Sequence, residues 1–396
     1  MDDRMGVGST KEQQLGVVLG LIADELDIPE VLREEMIRKY NHLGEWIRKD
    51  NEDRYRTDSE IYPQGSVRLG TAIKPISDDC GYDVDLVYLR KLEKNSISQD
   101  QLVEQAGEQL ERYIKFRRSE GKDVPTLERR RRCWALNYDH RFHMDVLPSI
   151  PDDEGVLFNN RSVDTSILLT DRELHHWQHS NPKAYAEWFR SRETTYFELK
   201  EASMAREGKV EIERIGDDKV KTPLRVAIQI LKRHRDVRYK GHPDHKPISI
   251  IITTLAAATY QNEMDVVAAL QGIIARMPEE IKGENGTWMI PNPVNPRENF
   301  ADKWNEYPER AAVFFEWLKS VDADMKLFLS QSGIHNVAIN LSESFGSDVV
   351  EMSIKNYGAN VDNIQQKGDL KMAAGTGLLG TSVGTTIPRN TWYGDK

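Results

Sequence analysis

Cysteine is almost absent, with only Cys80 and Cys133 in 396 residues. That count excludes a disulfide framework and a four-cysteine zinc site. Long apolar runs are missing as well: none approaches the roughly 18 residues that a membrane span needs. The opening MDDRMGVGSTKEQQ lacks the apolar segment of a signal peptide, so a cytoplasmic protein without membrane contact is expected. Positive charge is in deficit, and the net charge of −10 opposes coating of nucleic acid, which needs a basic surface. No stable nucleic-acid partner is therefore expected. Two basic runs, LERRRRCW at 129–132 and LKRHRDVRYK at 232–240, stand against this balance, and a solvated charged face is the plain reading of each.

What is present suits a globular chain of two lobes: 39% of residues are hydrophobic, 30% are charged, and the length exceeds what one core usually fills. Helix-period apolar positions predict helices over 11–27, 29–50 and 99–119. The segment RCWALNYDHRFHMDVLPSI alternates about DHR as a β-hairpin does, and NPKAYAEWFRSRE reads as a helix after a turn. From Thr222 the pattern is helical, beginning with TPLRVAIQILKRHRDV, where Pro223 suits a first helical position. Residues 367–396, rich in Gly and Thr, predict a mobile tail. The expected organisation is a core with N-terminal helices over 1–215, a helical lobe over 216–366 and the tail. In ELHHWQHS, His175 and His179 stand one helical turn apart, and without a third ligand they read as surface histidines. HPDH, with His242 and His245, is weaker still. Trp177, Trp188 and Phe189 read as core or lobe-interface residues, and Asp78 and Asp79 as loop carboxylates.

The stretch GYDVDLVYL carries the chemistry. In a strand, side chains alternate, so Asp83 and Asp85 share one face about 7 Å apart while Val84, Leu86 and Tyr88 take the other. Two anions so placed call for a cation, and Mg²⁺ suits a pure oxygen site, with Mn²⁺ as the alternative. Asp145 in FHMDVLP is a third carboxylate on a strand of apolar neighbours, where aspartate is otherwise depleted. Upstream, Gly65 and Ser66 in YPQGSVRLG mark a turn whose backbone N–H groups and hydroxyl can grip phosphate oxygens. A Gly-Ser turn and three carboxylates are the parts that two-metal nucleotidyl transfer needs.

The order QGSVRLGTAI, YDVDLVYL, FHMDVLPSIP resembles the polymerase-β-like nucleotidyltransferases, and specifically the bacterial cGAS/DncV-like enzymes that make cyclic oligonucleotide messengers in anti-phage defence. HSNPKAYAEWF, LKRHRD, KPISIIITTLAA and NPVNPRENFADKW extend the resemblance over roughly residues 55–320. It implies an α+β fold, a nucleotidyltransferase core with a mixed sheet packed against an all-helical lobe, and nucleoside triphosphates bound in the cleft between them. Asp83, Asp85 and Asp145 would be the catalytic metal ligands, and the product a cyclic di- or trinucleotide. Lys232 and Ser249 match helical-lobe positions that contact the donor triphosphate; Ser249 also reads as a plain helix N-cap. The two cysteines leave no room for the animal member's zinc insertion. The spacer from Ser66 to Asp83 is longer than in compact members of the superfamily. Transfer to an RNA end or a small molecule, and nucleotide binding without catalysis, are the alternatives. Trp392 and Tyr393 near the terminus make the tail a candidate docking segment for a protein partner.

Overall fold

In the computed structural model, residues 10–76, 81–139, 141–152, 157–158, 161–162, 165–171, 176–206, 221–284, 286–331, 334–374, 378–381 and 384–389 are described. Thr10 and Gln13 form a reciprocal capping box that starts α1 (Lys11–Glu25). Its residues from Leu15 to Ala23 are buried on all sides, which a helix tolerates only inside a larger bundle. The next helix, α2 (Glu30–Asp50), instead buries a single stripe through Met36, Leu43 and Ile47.

The sheet follows: β1 (Ser59–Pro63), the short α3 (Gly65–Leu69), β2 (Tyr82–Arg90), α4 (Gln99–Ser119), β3 (Thr126–Arg129), β4 (Trp134–Tyr138) and β5 (Phe142–Pro151). A small separate ribbon, β6 (Leu157–Phe158) with β7 (Arg161–Ser162), precedes β8 (Ile167–Leu169) and β9 (Gln178–Ser180). The spatial order is β1-β2-β5-β4-β3, with β8 paired to the end of β5 and β9 to β8. Only β2 and β5 run parallel, so the sheet is mixed. Val84, Leu86, Tyr88, Leu136, Met144 and Val146 bury one face against α2 and α4. The β4–β5 hairpin lies where the alternating pattern predicts it. Strand β1 was hidden in the sequence by Pro63, which this edge position at a strand end accommodates.

The helical lobe comprises α5 (Pro182–Ser191), α6 (Thr194–Arg206), α7 (Pro223–Arg238), α8 (Ser249–Thr259), α9 (Val266–Glu280), α10 (Asp302–Glu306), α11 (Glu309–Ser330), α12 (Ile334–Phe345) and α13 (Ser347–Lys367). Its core takes in α1 along with α5, α7, α8, α9 and α11 to α13. The expected grouping of both N-terminal helices with the sheet is therefore corrected: α1 belongs to the lobe, because its all-round apolar surface needs a bundle. The buried stripe of α2, by contrast, meets the sheet and α4. The expected mobile tail is in large part folded. Lys371–Met372, Leu379–Gly380 and Thr385–Thr386 form a three-stranded sheet, Leu370 is buried, and Ile387 N–H donates to Leu370 O. Composition alone suggested disorder, but the α1 and α13 surfaces supply what the segment lacks: Gln14 Nε2 donates to Leu379 O and Gln365 Nε2 to Pro388 O. Trp392, Tyr393, Asp78, Asp79 and His175 lie outside the described residues. No helix among the described residues is long and apolar enough to cross a membrane.

Candidate active site

Parallel register sets Asp83 beside His143 and Asp85 beside Asp145. With the intervening apolar residues buried beneath, these four polar side chains share the opposite face, as the period of two predicts for the aspartates. Their surroundings differ. The Asp83 side chain is 57% exposed, that of Asp145 only 14%. Burial pushes Asp85 up to about 7, and repulsion from Asp83 and Asp145 adds to the shift. Burial also raises Asp145, with Asp83 adding and Arg130 opposing; the Arg130 Nη1 donates to both carboxylate oxygens at 3.0 Å. The Cys133 thiol bonds to Asp145 as well, and burial holds it protonated. Carboxylates gathered at such an electrostatic cost are relieved by a divalent cation, and their oxygen donors fit Mg²⁺ or Mn²⁺.

The Gly-Ser turn closes one side of this face. Gln64 N–H donates to Asp85 O at 2.9 Å. Gly65 has φ +62°, and a Cβ there would lie 2.6 Å from Asp85 Oδ2, so both backbone conformation and space require glycine. Gly65 is exposed and Ser66 half-buried at the start of α3. Helix α7 supports the segment that follows. Lys232 Nζ donates to Thr71 O at 3.1 Å and to Thr71 Oγ1 at 3.2 Å, and Gln229 Nε2 donates to Ala72 O at 2.8 Å. Arg233 Nη1 donates to Lys74 O at 3.3 Å. Lys232 is buried, which with the nearby Arg235 charge lowers it to about 7 while Asp85 pulls the other way. Ser249 is the exposed first residue of α8, and Ile248 holds the cap position, which overturns the N-cap reading. Its Oγ accepts from Arg235 Nη1 at 2.8 Å. The structure thus gathers Gly65, Ser66, Asp83, Asp85 and Asp145 on one surface, seats Lys232 behind the turn, and ties Ser249 to the same helix as Lys232.

Residues 22–193 match the Second Messenger Oligonucleotide or Dinucleotide Synthetase domain. The chain is 29% identical over 405 residues to a c-di-GMP synthase of Roseivirga ehrenbergii, spanning 99% of this chain and 100% of that one. A cyclic dinucleotide synthase of Bradyrhizobium diazoefficiens, CdnG, is 21% identical over 87% of this chain and 83% of its own. The solved structure of that CdnG in complex with GTP has a TM-score of 0.67 at 20% identity, covering 87% of this chain and 98% of that one. These likenesses to a synthetase domain, to named cyclic dinucleotide synthases and to the CD-NTase CdnG support a nucleotidyltransferase of that kind.

In this nucleotidyltransferase two residues at the carboxylate face escaped the sequence reading. Arg130 lay in a run read as solvated, yet it bonds Asp145, while Arg131 and Arg132 converge on the fully buried Asp171. The run lines a cavity of about 590 Å³, opposite Lys303, Tyr307 and Arg310 of the helical lobe. His143 stands two residues before Asp145, and that H-x-D spacing on a strand was the available signal. The second basic run is likewise not a solvated face. Lys232, Arg233, His234 and Arg235 are all buried, and His234 pairs with Asp324 at 2.9 Å. His179 lies on β9 rather than on a helix, and its Nδ1 sits 2.7 Å from the buried Asp152. Phe189 is core, as expected, with Trp188 and Trp177 partly buried against their clusters.

Proposed function

We propose that this nucleotidyltransferase joins two or three nucleoside triphosphates into a cyclic di- or trinucleotide messenger in a Mg²⁺-dependent reaction. The observation that carries the reading is the assembly of Asp83, Asp85 and Asp145 on one sheet face against the Gly65–Ser66 turn. The names of the relatives, a c-di-GMP synthase and a cyclic dinucleotide synthase, support it. Asp83, Asp85 and Asp145 would hold the divalent metal, which when bound would neutralise charge on the departing pyrophosphate and acidify the attacking ribose hydroxyl. The chain does the rest. Exposed backbone at Gly65 and the Ser66 hydroxyl grip donor phosphates. Lys232 adds positive charge behind the turn, and Ser249 meets the same triphosphate from the lobe. Arg130 holds Asp145 in place, and the basic wall around it favours an anionic acceptor in the cleft.

The setting that the family resemblance implies is anti-phage signalling from the cytoplasm, and the C-terminal tail, residues 367–396 with the aromatic Trp392 and Tyr393, is the docking segment for a protein partner. Incubation with radiolabelled nucleoside triphosphates followed by phosphatase tests the reaction. A labelled product that resists phosphatase is expected. Release of all label as phosphate and nucleoside would overturn cyclisation, and label transfer that requires added RNA would favour the tailing alternative.

A further inference from the structure

The pairing of β2 with β5 places His143 directly across from Asp83, with Nε2 3.1 Å from Asp83 Oδ1. One donor atom from each of Asp83, His143 and Asp145 lies within 4.8 Å of the other two. Asp85 turns instead toward Gly65. Donors on adjacent corners of an octahedral cation, with bonds of about 2.1 Å, stand about 3 Å apart. The His143–Asp83 spacing already has that value. His143 is fixed on the central strand of the carboxylate face, with its imidazole 23% exposed, so the ring reaches the surface where a cation would sit.

We propose that His143 is a nitrogen ligand of the metal centre, sharing a cation with Asp83 and Asp145, so that this position prefers first-row divalent ions over Mg²⁺. The inference rests on the metal-centre reading above. Its chemistry follows from donor type: Mg²⁺ is hard, favours oxygen and keeps its waters, whereas first-row ions bind imidazole readily. Asp85, beside the turn, is left to the oxygen-only position that faces the triphosphate. A histidine that merely bonds Asp83 would leave the bound ion with oxygen ligands alone.

The test uses the full chain loaded with one equivalent of Mn²⁺, with metal binding and coordination read separately from catalysis. Pulsed electron paramagnetic resonance on the wild type should show hyperfine coupling to one nitrogen, which changes on ¹⁵N-histidine labelling and disappears in His143→Gln. Titrations should show Mn²⁺ binding at least tenfold tighter than Mg²⁺, with the gap narrowed about tenfold in His143→Gln. Because the wild-type spectrum alone reports the ligand, an unstable variant does not block the test. Bound Mn²⁺ without nitrogen coupling overturns the proposal and leaves the synthase reading standing. Absence of Mn²⁺ binding overturns the metal-centre reading as well.

Discussion

Among the described residues no cationic side chain is bonded to Asp85 to offset its burial, whereas His143 pairs with Asp83 and Arg130 with Asp145. Its ordinary value lies near 4, so at about 7 the folded protein holds this proton more tightly than the unfolded chain does. Folding stability contributed here is present at low pH and falls as pH rises between about 4 and 7, with a slope of at most about 1.4 kcal/mol per pH unit. Thermal melts in EDTA should therefore show the wild type losing stability from pH 5 to 7, with Asp85→Asn flattening that slope and saturating Mg²⁺ doing the same to the wild type. Equal slopes in wild type and variant would contradict the assignment. The three aspartates and Gly65 were legible in the sequence because a strand period of two and a glycine before Ser are local signals. The bond of Arg130 to Asp145 and the pairing of His143 with Asp83 were not, since they depend on a loop folding back over Asp145 and on register with another strand, although the H-x-D spacing already put His143 on the face of Asp145.

At the scale of elements, α7 is the shelf on which the segment after the Gly-Ser turn rests. Pro223 at its first position, the Thr222 cap and its apolar stripe were readable in advance. The inward direction of 232–235 was not, because charged side chains bury only against partners, and those partners are carbonyls and carboxylates distant in sequence. Replacing Lys232 with Met keeps most of the volume but removes the donors to Thr71. Apparent affinity for nucleoside triphosphate should fall by about 1–3 kcal/mol, the usual worth of a hydrogen bond to a charged group. The melting temperature should change little, since removing a buried charge offsets the lost bonds. Isothermal titration with a non-hydrolysable triphosphate checks this, and unchanged affinity would remove Lys232 from the phosphate machinery.

Across the described residues, α1 packs on α13 in the helical lobe, and the segment 379–388 bonds to both helices. Composition could not show this, because the Gly- and Thr-rich tail buries little by itself and gains its order only from those surfaces. Truncation before Leu379 should lower the melting temperature by a few degrees, at about 2–4 °C per kcal/mol for a large domain. Differential scanning calorimetry reads the loss, and an unaltered melt would mean that the strands carry no stability. Helix α7 of the lobe holds the segment after the Gly-Ser turn, and the central claim is that the carboxylate face beside that turn closes a ring of nucleotides. Mass spectrometry of products from an equal mixture of the four nucleoside triphosphates, with Mg²⁺, tests it most directly. The account predicts a species with the mass of two or three nucleoside monophosphates less one water for each linkage, including the closing one, and its loss in Asp83→Asn with Asp85→Asn while the fold is retained. Only linear products still bearing a 5′-triphosphate, or the same cyclic species from the double variant, would contradict it.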